Sequence, residues 1–384
     1  MKQSFFFILL FSVIDLQPLW GQKEVNTFST EGWWKPAGPA FSPEIKEDRS
    51  VTFRLKAPGA NAVAVKLGEW DTKTYPMQKD NEGVWSITVN AVNPGIYQYT
   101  FSVDGITMPD MANPVIKAGT SLYGSVLEIR GDTPLFDQHQ NVLHGDVQII
   151  DYISTSLNRP RSMYVYVPAD YQLSTGKSYP VLYLRHGGGD NESNWTEDGR
   201  AAVILDNLIA AGKAEPMFIV MTNGLTDGSW SGGSTVEGMQ LLEEELWQDV
   251  IPLIEKKYRI RSGKQGRAIA GLSMGGGQAY VMGLRHLDQF DYIGQFSAGI
   301  LSDGKFDYES YIPGVIANPQ MINNQLKLLW ISCGTKDPRY QGHLDLIADL
   351  KTRGVKHEFH EMPYGHEWQF WRWQLYEFSQ RLFK

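Results

Sequence analysis

Between residues 23 and 130, apolar and polar side chains alternate with a period of two. Val51-Thr52-Phe53-Arg54-Leu55, Ala62-Val63-Ala64-Val65, Val84-Trp85-Ser86-Ile87-Thr88-Val89 and Ile96-Tyr97-Gln98-Tyr99-Thr100-Phe101 each read as a half-buried strand. Pro58-Gly59, Asn81-Glu82-Gly83, Pro94-Gly95 and Asp104-Gly105 lie between them as turns. Short alternating strands at this spacing predict an all-β, immunoglobulin-like sandwich. Residues 131–145 form a polar connector. From 146 to 384 the pattern changes. Apolar runs at 147–150, 163–167, 181–184, 217–221, 268–270, 292–296, 328–331 and 357–360 alternate with helical stretches at 201–211, 238–258, 344–351 and 367–383. This alternation predicts an α/β body with a mainly parallel sheet covered on both faces. Ligands then gather at the carboxyl ends of the strands.

The first 22 residues fit neither region. Lys2, an apolar core from Phe5 to Ile14 and small-residue cleavage near Gly21 predict a secretory signal peptide. The apolar run is too short to span a bilayer, and no other stretch is long enough. A secreted or periplasmic protein is expected. Its 384 residues suffice for two domains. A net charge of -8 argues against nucleic acid and anionic membranes as partners. Cys333 stands alone in an apolar strand pattern, so no internal disulfide is available and a buried structural thiol is expected.

Candidate chemistry centres on Gly271-Leu272-Ser273-Met274-Gly275, which follows the apolar run Ala268-Ile269-Ala270 and opens a helical segment. Strand, sharp turn and helix put a serine at the apex, beside the free N–H groups of a helix N-terminus. A serine hydroxyl needs a base, and the base needs an orienting carboxylate. In the α/β-hydrolase plan these follow in the order nucleophile, acid, histidine. Asp337 in Gly334-Thr335-Lys336-Asp337 and His366 in Pro363-Tyr364-Gly365-His366 have the required positions after late strands. Asp303 also follows a strand, but its place in the strand order suits the acid less well. Of the two oxyanion donors, one is expected from the N–H of Met274. The other is expected from Gly188, with Gly187 next, in His186-Gly187-Gly188-Gly189-Asp190. His186 reads as structural. With no HExxH, cysteine pair or P-loop, no metal or cofactor is expected.

Residues from about 142 to 384 resemble the family-one carbohydrate esterases, the group with bacterial feruloyl and acetylxylan esterases. The stretches that carry the resemblance include 184–190, Trp195, 205–209, 221–224, 270–278, 294–298, 333–337 and Gly365-His366-Glu367-Trp368. It implies that Ser273 is the nucleophile, Asp337 the acid and His366 the base. The usual Leu-His-Gly lead-in reads Leu184-Arg185-His186 here, which adds a charge beside the site. Residues 23–130 resemble the E-set domains of branching and isoamylase-type enzymes, often classed as starch-type carbohydrate-binding modules. Ala57-Pro58, Gly68-Glu69-Trp70, Gly83-Val84-Trp85, Pro94-Gly95-Ile96-Tyr97 and Val103-Asp104-Gly105 carry that likeness. Trp85 reads as core; the role of Trp70 stays open.

The resemblance implies a secreted serine carboxylesterase acting on plant cell-wall polysaccharide or feruloylated xylo-oligosaccharide. Trp195, Trp230, Phe296 and Trp368 are candidates to contact a flat aromatic acyl group, which favours feruloyl over acetyl. The alternatives are an acetylxylan esterase, an enterobactin-type siderophore esterase, acyl transfer to another acceptor and a non-catalytic glycan-binding protein.

Overall fold

The computed structural model describes residues 42–384, so the signal peptide expected at 1–22 lies outside the described residues. The first ten strands are β1 (Glu44–Ile45), β2 (Val51–Lys56), β3 (Val63–Leu67), β4 (Lys73–Pro76), β5 (Gln78–Lys79), β6 (Val84–Val89), β7 (Gly95–Val103), β8 (Ile106–Met108), β9 (Ile116–Ala118) and β10 (Leu122–Ile129). They form two antiparallel sheets, ordered β1-β2-β6-β5 and β4-β3-β7-β10-β9, with β8 on β7. Their inward positions, among them Val51, Phe53, Val65, Tyr99, Phe101 and Leu127, make one apolar core. Trp85 joins that core, and its indole N–H donates to the Ala57 carbonyl at 2.9 Å.

The third sheet has eight strands: β11 (Asp146–Ser154), β12 (Arg159–Val167), β13 (Val181–Arg185), β14 (Phe218–Thr222), β15 (Arg267–Leu272), β16 (Tyr292–Phe296), β17 (Leu328–Gly334) and β18 (Glu358–Met362). Their order is β11-β12-β14-β13-β15-β16-β17-β18. The β11–β12 and β12–β14 pairs are antiparallel; all the others are parallel. Successive apolar residues of the central strands enter opposite cores. Tyr183, Ile269, Ile293 and Ile331 pack on one side, while Leu184, Ala270, Phe296 and Trp330 pack on the other. That two-sided burial explains why these strands read as continuous apolar runs. The fold is an α/β-hydrolase behind a β-sandwich.

The helix expected over 238–258 starts at Val236, where the Thr235 hydroxyl caps the Gly238 N–H at 2.9 Å. It widens into a π-helical turn at Leu246–Val250 before continuing as Ile251–Lys257. Pro252 follows that turn and offers no N–H to an upstream carbonyl, which favours the wider winding. The connector is bound to both bodies. Asn207 donates to the carbonyls of Phe136 and Gln138, and Arg372 bonds both Asp137 and the Ile96 carbonyl. Among the described residues no helix is long and apolar enough to cross a membrane.

Candidate active site

β15 is six buried residues ending at the turn that carries Ser273. The serine has φ of +48°, an uncommon and strained conformation for a residue with a side chain. The helix Ser273–Arg285 begins at the same residue. Its flanking glycines are required by contact with backbone. A Cβ at Gly271 would lie 2.4 Å from the Gly275 carbonyl oxygen, and one at Gly275 would lie 2.3 Å from that of His186.

Three strand-end loops converge here. Asp337 follows β17 and His366 follows β18. Nε2 of His366 is 3.0 Å from Oγ of Ser273, and Nδ1 is 2.7 Å from Oδ2 of Asp337. Burial pushes the Asp337 carboxyl up, but the hydrogen bond and charge of His366 and the N–H of Arg339 hold it below the usual range. An ionised Asp337 accepts a hydrogen bond from the Nδ1–H, which keeps the proton on Nδ1 and leaves Nε2 to accept from the serine hydroxyl. Trp371 meets the imidazole edge-on at 4.9 Å between ring centroids.

Met274 lies in the first turn of the helix, where backbone N–H groups have no intrahelical partner. Gly187 adjoins the serine: a Cβ there would be 3.3 Å from the Ser273 Cβ. Gly188 lies against the Trp230 ring, 2.9 Å from an added Cβ. His186 holds this loop. Its Nε2 accepts from the Gly224 N–H at 2.7 Å and its Nδ1 donates to the Gly187 carbonyl at 2.8 Å. Arg185 is buried, with Nε donating to Gln278 and Nη1 to Thr222. Its charge is thus held inside the fold instead of being presented to a substrate. Gln278 in turn bonds the carbonyls of Gly224 and Gly233, pinning both ends of the loop that carries Trp230.

Three of the four aromatic candidates for substrate contact are corrected by the structure. Trp195, Phe296 and Trp368 are 1%, 0% and 3% exposed. They form an internal edge-to-face cluster, with Trp195 against both Phe296 and Trp368, and Trp368 against Trp371. The cluster backs the histidine loop from inside. Trp230 differs, being 59% exposed.

Asp303, the other carboxylate after a strand, and two of the remaining histidines are engaged elsewhere. Asp303 pairs with Arg339 at 2.7 Å, His286 with Glu243, and His360 stacks on Trp330. Cys333 is buried, and burial pushes its thiol up. Among the described residues, no group of three or more His, Cys, Asp or Glu is placed to hold a metal ion.

The sequence left open whether the sandwich binds glycan or shapes one wall of the active site, and the structure brings its residues beside the triad. Trp70, 48% exposed, stands edge-on to His366 at 6.1 Å between centroids. Glu69 accepts from the Trp368 N–H at 2.9 Å. Lys117 reaches Asp190 at 3.4 Å and Glu69 at 3.7 Å. Gly68-Glu69-Trp70 was visible only as a mark of likeness to other modules. No periodicity links residue 70 to residue 366.

Residues 154–382 match the family described as "Putative esterase", and residues 36–114 match carbohydrate-binding module 48, the isoamylase N-terminal domain. The chain is similar to an endo-1,4-beta-xylanase/feruloyl esterase from Xylanibacter ruminicola, with 32% identity over 89% of this chain and 46% of the relative. It therefore spans less than half the length of that relative. A CE1 ferulic acid esterase from Anaeromyces mucronatus, solved in complex with ferulic acid, superposes with a TM-score of 0.55 and 25% identity, covering 64% of this chain and 93% of that one. The enterobactin esterase of Shigella flexneri shares the fold across both bodies, with a TM-score of 0.64 and 17% identity over 92% of this chain and 98% of that one. The family match spans well over half the chain, from β11 to the last helix, so this chain belongs to the esterase family and carries an isoamylase-type module ahead of its α/β-hydrolase body.

Proposed function

We propose that this chain is a secreted or periplasmic serine esterase of plant cell-wall polysaccharide that releases ferulate from feruloylated xylan. The observation that carries the reading is the hydrogen-bonded chain from Ser273 through His366 to Asp337, at 3.0 and 2.7 Å, on a strained serine turn. Nε2 of His366 takes the hydroxyl proton as Oγ of Ser273 attacks the ester carbonyl. The resulting oxyanion accepts from the N–H groups of Met274 and Gly188, with that of Gly187 beside them. Collapse of this intermediate expels the sugar hydroxyl, which takes the proton from His366. Water, deprotonated by the same imidazole, then releases the acid and restores the serine. Asp337 stabilises the imidazolium at each stage.

The feruloyl preference is supported by the exposed indole of Trp230, which lies against Gly188 beside the expected oxyanion donors. It offers an apolar face to a flat acyl group. The names of the Xylanibacter and Anaeromyces relatives support the same substrate class. A panel of methyl ferulate, acetylated xylan and feruloylated arabinoxylan oligosaccharides tests the reading. Ferulate release that Ser273→Ala abolishes, in a variant that still folds, is the expected result. Acetate release alone replaces feruloyl by acetyl, and turnover that survives in Ser273→Ala rules out the mechanism.

A further inference from the structure

The histidine loop and the glycine loop both belong to the hydrolase body, yet each is gripped by the sandwich. On the histidine side, the Trp70 ring lies so close to Gly365 that an added Cβ would sit 2.5 Å from its Cδ1. The residue before the base is therefore seated directly on the sandwich. Glu69, the neighbour of Trp70, accepts from the Trp368 N–H two residues after the base.

On the glycine side, three donors converge on one carbonyl. The Gly189 oxygen accepts from the Thr120 N–H at 2.8 Å, the Thr120 hydroxyl at 3.0 Å and the Tyr123 hydroxyl at 3.0 Å. Gly119 packs against the same carbonyl, where an added Cβ would lie 2.2 Å away. Lys117 joins the two grips by lying between Asp190 and Glu69. Burial works against its charge, but the carboxylates of Asp190, Glu69 and Asp198 hold the ammonium above its usual range. The link thus stays ionic at neutral pH.

We infer that the sandwich is a working part of the acyl-transfer site. Trp70 seats the histidine loop, and Thr120 and Tyr123 fix the loop that carries the oxyanion donors. These are positioning residues, and their action requires no glycan. The inference rests on the esterase reading above and deepens it. A module that only recruits polysaccharide acts on polymer affinity. A module that holds the base and the oxyanion donors acts on turnover of any ester.

Methyl ferulate, which carries no sugar, separates the two. The full-length wild type, Ser273→Ala, Trp70→Ala, Trp70→Phe and the double change Thr120→Val with Tyr123→Phe are compared by kcat, KM and thermal melting. Small displacements of catalytic groups are costly, so kcat falls roughly 10- to 100-fold in Trp70→Ala and in the double variant, with KM moving less than about 3-fold. Trp70→Phe recovers most of the rate, because a flat ring again seats Gly365. Melting temperatures stay near that of the wild type. Unchanged kcat in both Trp70→Ala and the double variant, with turnover lost in Ser273→Ala, overturns this inference alone. Turnover retained in Ser273→Ala overturns the functional reading together with it.

Discussion

Nδ1 of His366 lies 2.7 Å from Oδ2 of Asp337, and this contact decides which imidazole nitrogen faces Ser273. The second oxygen, Oδ1, accepts from the Arg339 N–H at 2.9 Å, so the carboxylate is held at both ends. Asp337→Asn keeps the shape but presents an amide donor to Nδ1. The imidazole then carries its proton on Nε2 and cannot accept from the serine. The expected loss in kcat on methyl ferulate is about 10⁴-fold, with little change in KM. Steady-state kinetics check this; a loss smaller than about 10-fold contradicts the role assigned to Asp337.

Trp230 is the one exposed member of the four aromatic candidates, and it covers Gly188 without entering the core. Trp230→Ala removes an apolar face at little expense to the fold. KM for methyl ferulate is expected to rise about 10-fold, on the scale of one lost aromatic contact, while the melting temperature holds. Esters of acetate, which have no ring to stack, show a smaller rise. Equal effects on the two acyl groups place Trp230 outside the acyl pocket.

The difference between Trp230 and its three companions also marks what a sequence can convey. The α/β-hydrolase plan was legible because its signals are local. Ile269-Ala270 before Ser273, Ile331-Ser332-Cys333 before Asp337 and Phe359 before His366 each announce a strand and the loop after it. Chain order then distributes the roles. Aromatic candidates carry no such local mark. Trp195 sits on a short helix after the glycine loop, where nothing in the pattern separates a pocket wall from a core. Its burial depends on Phe296 and Trp368, which come 101 and 173 residues later. The contact of Trp70 with His366 spans more of the chain still, and docking of one body on the other creates both it and the contact of Tyr123 with Gly189.

His186 gives a pH-dependent test of how the glycine loop is held. Burial pushes this imidazole down to about 4, and its Nε2 is occupied by the Gly224 N–H. In the unfolded chain the group titrates near ~6.5. Between about 6.5 and 4 the unfolded state binds a proton that the folded state refuses, so stability present at neutral pH is lost as the pH falls. The loss reaches about 2.5 kcal/mol by pH ~4.5. Asp198 works in the opposite sense over the same window. Burial raises its carboxyl to about 6, so the folded chain binds that proton first and gains stability on acidification. The wild-type curve therefore mixes the two, and the informative quantity is a difference. Urea unfolding of wild type and His186→Gln at pH ~7.5 and ~4.5 isolates the imidazole. The wild-type advantage is expected to shrink by roughly 2–3 kcal/mol at the lower pH. An advantage of the same size at both values means that His186 is protonated in the fold, which the Gly224 N–H directed at Nε2 forbids.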